Sequence, residues 1–372
     1  MLIDVNVDQF TLTIYIDEDE YLAYDEHYFD YIQDRFASTL NLIDLFGLPV
    51  RLNYGDGWYN TIYDYGYYDR HLFFKYNDES LDNQISVVFH AGMLKEYLKS
   101  YRNKIDENMT VFKLLKKMST LGTVRLSRLD VAIDLIDENI VVDDLARRIN
   151  NYDVLIKNSR GSNIAVESIQ QIGNGGKVET MYINKRKSAS FLRIYDKKIE
   201  ALLKESADVK TAIECENWTR IELELKKYYA NNITASILKC ESEFDFKKVI
   251  LGAFLEKFKF LELEKPEEDD SDGYVDMQFY QDLKDLIKNE IVHLPGHERE
   301  RVTDLERKYK NLFNNGSMRL FAMIKQAYGE EGLKEVFERI NKDCEKVELN
   351  RDHDRLINKF KSEVPFFKDK RH

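Results

Sequence analysis

Apolar and polar positions in the first third of the chain predict a mixture of strands and helices. Alternating apolar residues indicate strands at residues 9–16 and 86–90. A helical spacing of apolar residues predicts helices at residues 28–45, 93–101 and 110–118. This region is therefore expected to have an α+β structure.

The middle of the chain is rich in alternating segments. They predict strands at residues 124–135, 178–184, 191–196 and 219–226, with a helix at residues 143–149. Prolines are few and strands do not alternate strictly with helices, which favours an antiparallel sheet backed by helices over a doubly wound parallel sheet. After residue 275 the spacing is helical almost to the end, with helices expected at residues 276–291, 302–328, 331–346 and 351–360.

The chain of 372 residues is too long for one typical core, so several domains are expected. The acidic run ELEKPEEDDSD, at residues 262–272, is typical of a solvated linker. We predict an acidic N-terminal α/β region at 1–110, a central domain at 111–260, an acidic linker at 261–275 and a helical C-terminal domain at 276–372.

Charge is distributed unevenly along the chain. The net charge of -12 argues at first against a nucleic-acid ligand, because contacts with phosphates need a positive surface. However, residues 1–90 contain 17 acidic and 4 basic residues, whereas residues 91–260 contain 24 acidic and 30 basic residues. The central region is therefore net positive and remains compatible with DNA binding.

Composition also bears on the location of the protein. No stretch approaches the roughly 18 uninterrupted apolar residues of a membrane span. The N-terminus has acidic residues where a secretory signal would have lysine or arginine, and the three cysteines show no C-x-x-C spacing. We expect no membrane association and a cytoplasmic location, with the cysteines packed in the core.

Three predicted strands carry polar residues that could support chemistry. In the strand around residues 128–134, alternation places Asp130 and Asp134 on one face. In the strand at residues 219–226, Glu222 and Glu224 share a face in the same way. The strand at residues 191–196 presents Arg193 and Tyr195 together. Taken alone, each strand is also compatible with an ordinary sheet whose polar face is exposed to solvent.

Taken together, the three strands suggest a metal-assisted reaction. Four neighbouring carboxylates would repel one another unless a cation lay among them, and oxygen ligands of this kind suit Mg²⁺ or Mn²⁺. A tyrosine beside such an ion can attack a phosphodiester as a phenolate. Arg193, with Lys197 and Lys198 nearby, could neutralise the charge that develops on the phosphate.

Three segments carry a resemblance to a known family. SRLDVAID, TMYINKRKSASFLRIYDKK and WTRIELELKK, in this order and spacing, resemble the motifs of Rep-trans type initiators of rolling-circle plasmid replication in Gram-positive bacteria. They are equally similar to the related relaxases, which nick conjugative elements. The resemblance covers about residues 120–230. It implies a fold like that of the HUH endonucleases but without their paired histidines, and this chain has no His-x-His motif.

The resemblance also implies roles for particular residues. Tyr195 would be the nicking tyrosine that becomes joined to the 5′ phosphate of DNA. Asp130, Glu222 and Glu224 would bind the metal ion, with Asp134 as a supporting carboxylate. The implied activity is that of an origin-specific endonuclease and strand transferase. Its partner would be single-stranded DNA or an extruded hairpin, and a host helicase and a homodimer are compatible with this activity.

Several alternatives remain open at the level of sequence. Lys185, Arg186 and Lys187 form either a solvated turn or a contact with DNA phosphates. The C-terminal helices, which begin near Arg299 and Arg301, form either a packing domain or an element that reads the origin. The sequence does not separate plasmid replication from conjugative transfer. A non-catalytic DNA-binding initiator of the same fold is the alternative outside enzymology.

Overall fold

The computed structural model describes residues 2–15, 24, 27–79, 84–204, 208–264, 273–288, 290, 317–347, 357 and 361. The chain divides into two compact units, Met1–Pro295 and Gly296–His372. The strands of the described residues are β1 Leu2–Tyr15, β2 Val50–Arg51, β3 Thr61–Asp64, β4 Leu72–Tyr76, β5 Gln84–Phe89, β6 Val124–Ile136, β7 Val154–Asn158, β8 Gln170–Asn174, β9 Lys177–Ile183, β10 Ser190–Asp196, β11 Trp218–Lys226, β12 Phe258–Leu263 and β13 Tyr274–Asp276. The helices are α1 Tyr28–Thr39, α2 Leu42–Phe46, α3 Ala91–Lys104, α4 Val111–Met118, α5 Val142–Asn150, α6 Lys197–Leu203, α7 Val209–Glu214, α8 Tyr228–Lys239, α9 Glu243–Lys257, α10 Gln278–Leu286 and α11 Ser317–Cys344.

A ten-stranded sheet organises the first unit. Its order is β2-β3-β4-β5-β1-β6-β11-β10-β9-β8, and every neighbouring pair is antiparallel. The α+β class with a large antiparallel sheet flanked by helices is thus confirmed. Because β1 pairs with β6, the regions expected at 1–110 and 111–260 share one sheet and one core.

Period-two alternation sorts the central strands of this sheet into two faces. Leu129, Val131 and Ile133 of β6 lie beside Leu223 and Ile221 of β11, and all five are buried in the main core. The opposite face of the same strands carries the charged residues. The alternation that the sequence shows in these segments therefore corresponds to a core face and a polar face.

Several elements differ from the sequence-based expectations. β1 begins at Leu2 rather than at residue 9. The helix expected at residues 28–45 is divided into α1 and α2, because Asn41 adopts a left-handed conformation with φ of 55°. Helix α9 was not expected, since apolar residues surround it on nearly all sides and leave no amphipathic stripe in the sequence.

The segment expected to be a linker partly belongs to the first unit. β12 ends at Leu263, and β13 pairs with it from Tyr274 in a small sheet of order β13-β12-β7. Helix α10 then packs into the core through Phe279 and Leu283. The first unit accordingly continues beyond the expected boundary, and residues 265–272 lie outside the described residues.

The second unit contains the helical segment α11, which Gly329 interrupts with a φ of 70°. Residues 302–316 and 351–356, where further helix was expected, lie outside the described residues. The same holds for the basic residues at its expected start, which are Arg299, Arg301, Arg307, Lys308 and Lys310. Within the part of the chain that the structure describes, no helix has both the length and the apolar character needed to cross a bilayer.

Candidate active site

The candidate nucleophile lies in the middle of the polar sheet face. Tyr195 of β10 pairs with Arg220 of β11, and Arg220 pairs in turn with Asp134 of β6. One pleat further along, Arg193 pairs with Glu222. Strand pairing therefore brings together side chains from three separate sequence segments, as the alternation in each segment indicated.

The hydroxyl group of Tyr195 donates a hydrogen bond of 2.7 Å to Oε1 of Glu222. The Arg193 guanidinium donates to the other oxygen of this carboxylate, through Nε at 3.0 Å and through Nη2, and lies 4.2 Å from the centre of the Tyr195 ring. Tyr195 is only 5% exposed. Burial and the neighbouring Glu222 carboxylate raise the pKa of Tyr195 above its usual value, while Arg220 and Arg193 oppose this rise. The phenol therefore needs a proton acceptor before it can attack, and Glu222 is hydrogen-bonded to it.

A second cluster surrounds Asp134. Arg220 donates from Nε and Nη2 to the two oxygens of Asp134, each at 2.7 Å, and Trp218 Nε1 donates to Oδ1 at 2.6 Å. Arg220 also donates from Nη1 to Asp8 at 3.2 Å, and the same nitrogen lies 4.0 Å from Oε1 of Glu222. Burial alone would lower the pKa of Arg220, but Asp134 holds it well above its usual value. Arg220 is thus a fixed positive charge beside Tyr195.

The third cluster contains the remaining two carboxylates. Asp130 and Glu224 lie opposite each other on β6 and β11. Arg128 bonds to both, with distances of 2.8 and 2.7 Å to Asp130 and 3.0 Å to Glu224, while Lys226 forms an ion pair with Glu224. Burial raises the pKa of Asp130 to about 6 even though Arg128 opposes this rise. Two carboxylates here share one guanidinium cation.

Two short helices lie on the polar face of the sheet, close to the end of β10 that carries Tyr195. Helices α6 and α7 pack against each other, and Ala201, Ala212, Cys215 and Trp218 form a small apolar cluster with Ile136. This cluster lies on the polar face of the sheet at the end of β11 where Trp218 begins the strand. Tyr195 lies next to it, at the end of β10 that leads into α6.

A cleft of about 610 Å³ adjoins the Arg220 cluster. β1 pairs with β5 only from Phe10 to Tyr15, so the first half of β1 has a strand neighbour on the β6 side alone. The cleft follows this open edge, and its lining includes Asp8 and Arg220. It therefore provides an opening close to the row that contains Tyr195.

The structure places Lys197 and Lys198 away from the carboxylate clusters. Lys197 is buried and bonds to Glu200 at 2.5 Å and to Asp208 at 3.4 Å. Lys198 donates to the carbonyl oxygen atoms of Cys215 and Glu216, at 2.7 and 3.1 Å. Both ammonium groups are thus engaged by α6, α7 and the residues that follow them.

The basic turn lies at the other end of β10. Lys185, Arg186 and Lys187 are exposed in the connection between β9 and β10. Lys226 of β11 donates to the carbonyl oxygen of Arg186, which ties the turn to the edge of the Glu224 cluster. The turn and Tyr195 therefore occupy opposite ends of the same strand.

The acidic side chains of this patch are suitable ligands for a divalent ion, but arginine side chains hold them in the present arrangement. Asp130, Glu222 and Glu224 supply the oxygen ligands that Mg²⁺ and Mn²⁺ prefer, and Arg128 already occupies a cation position between two of them. Among the described residues, no three Asp, Glu, His or Cys side chains converge to form a metal site as they stand. A divalent ion would have to displace part of an arginine contact on entering.

Sequence reasoning assigned no role to three residues of the site. Arg128 and Arg220 lie on the same strand faces as the acids, so the alternation that found the acids also marks these two. Asp8 gives no such signal, because it lies at an irregularity between Val7 and Gln9 in the pairing of β1 with β6. Only the three-dimensional arrangement brings it to Arg220.

Comparison with known proteins identifies the family of this chain and agrees with its fold. The family model described as replication initiation factor (Rep_trans) matches residues 124–340, which is more than half of the chain. The chain belongs to this family, and the resemblance found in its motifs is confirmed. Membership of this family gives the general function of the chain, which is replication initiation.

One solved structure supports the fold independently. It is the "Structure of Rolling Circle Replication Initiator Protein from Geobacillus stearothermophilus", with a TM-score of 0.53 and 16% sequence identity. The alignment covers 77% of this chain and 97% of that chain. A comparison with curated proteins gave no match.

Proposed function

We propose that this protein nicks one DNA strand at an origin of rolling-circle replication, with Tyr195 as the nucleophile. The observation that carries the proposal is the 2.7 Å hydrogen bond from the Tyr195 hydroxyl group to Glu222. This bond joins a candidate nucleophile to a candidate base, and arginines lie beside both. The chain also belongs to a family of replication initiation factors. The Geobacillus protein is called a rolling-circle initiator, which agrees with the proposed type of replication.

The reaction is a transesterification. The Tyr195 oxygen attacks the scissile phosphorus in line, so a tyrosyl O–P bond forms as the bond from phosphorus to the 3′ oxygen breaks. The phenol proton passes to the Glu222 carboxylate, and the departing 3′ oxygen takes a proton from water. The products are a 5′-phosphotyrosyl protein and a free 3′ hydroxyl group that a polymerase can extend. The reverse reaction rejoins the strand.

Cationic residues stabilise the charge that develops on the phosphate. Arg193 lies against the Tyr195 ring and can turn toward a phosphate bound at the hydroxyl group. Lys197, which begins the helix that follows β10, is paired with Glu200 and Asp208, so its contribution to this charge would be smaller than that of Arg193. A divalent ion held by Asp130, Glu222 and Glu224, with Asp134 in support through Arg220, would supply further positive charge at the phosphate.

The substrate is single-stranded DNA or an extruded hairpin, because a flexible single strand can bring a phosphate to a largely buried tyrosine more easily than a stiff duplex can. Lys185, Arg186 and Lys187 are the exposed DNA-contacting cations of the proposal. Lys198 would contact DNA only by leaving the carbonyl oxygens of Cys215 and Glu216. A host helicase would unwind the duplex from the nick, and a homodimer is compatible with the proposal. A relaxase of a conjugative element would use the same chemistry.

The test is covalent capture. Pure protein is incubated with Mn²⁺ and single-stranded oligonucleotides from its own genetic neighbourhood, and adducts are separated on denaturing gels and mapped by peptide mass. Wild-type protein should form an adduct on Tyr195, and Tyr195→Phe should form none while its DNA affinity stays within a few fold. Tyr54→Phe, far away in the loop between β2 and β3, is the matched control and should react normally.

Glu222→Gln tests the proton acceptor. It keeps the shape of the side chain but cannot take the proton, so adduct formation should slow by roughly 10²- to 10⁴-fold. Direct Mn²⁺ binding, measured by calorimetry on Asp130→Asn and wild type, tests the metal ligands separately. Nicking by Tyr195→Phe at the wild-type rate would refute the nucleophile, and DNA binding without any adduct would favour the non-catalytic initiator.

A further inference from the structure

Two aromatic side chains interrupt the charged face of the sheet close to Tyr195. Tyr182 of β9 and Phe191 of β10 are stacked, with ring centres 5.5 Å apart and planes at 27°. Tyr182 pairs across the strands with Arg193, and Tyr195 pairs with Thr180. Because side chains alternate along a strand, Tyr182 and Phe191 lie on the same face as Arg193 and Tyr195.

Packing of the main core does not account for this pair. Phe191 is 7% exposed, yet it lies on the polar side of the sheet and belongs to neither apolar cluster of the described residues. Its cross-strand neighbour on β11 is Glu224. Tyr182 stacks on Phe191 and is itself only half buried, so the residue is partly accessible to solvent. The pair forms an aromatic platform beside the charged residues of this face.

The platform lies at a suitable distance from the nucleophile. Thr180 is the direct neighbour of Tyr195, and Tyr182 is two residues further along β9. Two residues of a strand span roughly 7 Å, and adjacent strands lie roughly 5 Å apart. A nucleotide next to a phosphate at Tyr195 could therefore place its base on the Tyr182 ring.

Basic residues continue in the same direction. Beyond Tyr182 the hairpin reaches its turn, where Lys185, Arg186 and Lys187 are exposed. The turn is held in shape by a bond from Ser188 N to Lys185 O at 2.8 Å and by the Lys226 contact with Arg186 O. One face of the hairpin thus presents, in order, Tyr195, Arg193, the platform and a cationic turn.

We propose that Tyr182 stacks on a base of the single strand that flanks the scissile phosphate, with Phe191 supporting its ring. The occupant is single-stranded nucleic acid. An unpaired base can lay its flat face on an aromatic ring while the backbone of the strand follows the neighbouring cations. The position of the scissile phosphate rests on the proposed function, whereas binding of a base at Tyr182 does not require cleavage.

Measurements of DNA binding in a variant that lacks the nucleophile test this inference. Full-length protein carrying Tyr195→Phe is titrated with a mixed-sequence single-stranded oligonucleotide that contains 2-aminopurine, and with the corresponding duplex. Adding Tyr182→Ala should weaken single-strand binding roughly 5- to 150-fold and abolish the quenching of 2-aminopurine by stacking. Adding Tyr182→Phe should change affinity by less than about twofold, because the ring does the stacking.

Two further variants separate stacking from loss of structure. Tyr182→Leu keeps an apolar contact with Phe191 and should fold like the parent, yet bind single strands as weakly as Tyr182→Ala. Tyr54→Ala removes an exposed tyrosine near the opposite edge of the sheet and should leave binding unchanged. Wild-type affinity in Tyr182→Ala, or an equal loss for duplex and single strand, would overturn the inference. If wild-type protein forms no adduct but binding still depends on Tyr182, the nicking proposal fails and the base site stands.

Discussion

Four acidic side chains are buried on one sheet face because each is bonded to a cationic side chain. Asp134 is the most completely enclosed: it and Arg220 each have a side chain that is 6% exposed. Taking two charges out of water costs several kcal/mol per ion, and this cost is offset only when the geometry is good and the remaining hydrogen bonds are satisfied. Here Trp218 and Asp8 supply those additional bonds. Removing one partner should therefore leave an uncompensated buried charge.

We expect Arg220→Met to lower the free energy of unfolding by about 3 to 5 kcal/mol, because Asp134 would stay buried without its partner. The double variant with Asp134→Leu should recover part of this loss. Arg147→Met is the control, because Arg147 and Asp144 form an exposed pair whose contribution should be under about 1 kcal/mol. Urea unfolding without divalent ions measures all of these variants. Equal costs for Arg220→Met and Arg147→Met would contradict the argument.

At the level of elements, one side chain on a helix completes the hydrogen bonding of an irregular strand. The pairing of β11 with β6 ends at Lys226 and Arg128, so no residue of β11 lies opposite Leu126 and its backbone N–H needs another acceptor. Thr234 of α8 provides it: its hydroxyl oxygen accepts from Leu126 N at 2.9 Å and its hydroxyl group donates to Ala230 O at 2.9 Å. This bond joins α8 to the strand that carries Asp130 and Asp134.

Thr234→Val should therefore cost about 1 to 3 kcal/mol of unfolding free energy, since it has the same shape but leaves a buried N–H without an acceptor. Thr234→Ser keeps the hydroxyl group and should retain most of the stability. Urea unfolding gives the stability difference, and amide exchange at Leu126 should accelerate in the valine variant alone. Unchanged exchange in Thr234→Val would show that the bond is dispensable.

The sequence predicts those elements whose physical signal is local. Alternation assigned Asp130 and Asp134 to one face of β6, and Glu222 and Glu224 to one face of β11, because the period of a strand is fixed by backbone geometry. Helix α9 escaped prediction because a helix buried on all sides has no polar stripe. The order of the ten strands, and the approach of Asp8 to Arg220, depend on pairings between distant segments. Those pairings leave no periodic trace in the sequence.

At the scale of the whole molecule, an acidic chain must bind a polyanion through a limited surface. The net charge is -12, and the arginines around Tyr195 are neutralised by the carboxylates that they bind. The exposed cations of the hairpin turn, Lys185, Arg186 and Lys187, form no ion pair with another described residue. DNA phosphates would therefore be attracted mainly by local cations of this kind, against a repulsive overall charge.

The salt dependence of DNA affinity should therefore arise largely from the cations of the hairpin turn. Each phosphate contact on a single strand contributes roughly 0.7 to the slope of log affinity against log salt, so replacing the three turn cations by glutamine should reduce the slope by about 2. A control triple replacement of the exposed Lys99, Lys104 and Arg160, which lie outside the β9–β10 hairpin, should leave the slope unchanged. Affinity for a mixed-sequence single strand, measured in Tyr195→Phe across a series of salt concentrations, gives both slopes. An equal reduction in the two triple variants would mean that the overall charge governs binding, and no reduction in either would place the phosphate contacts elsewhere on the protein.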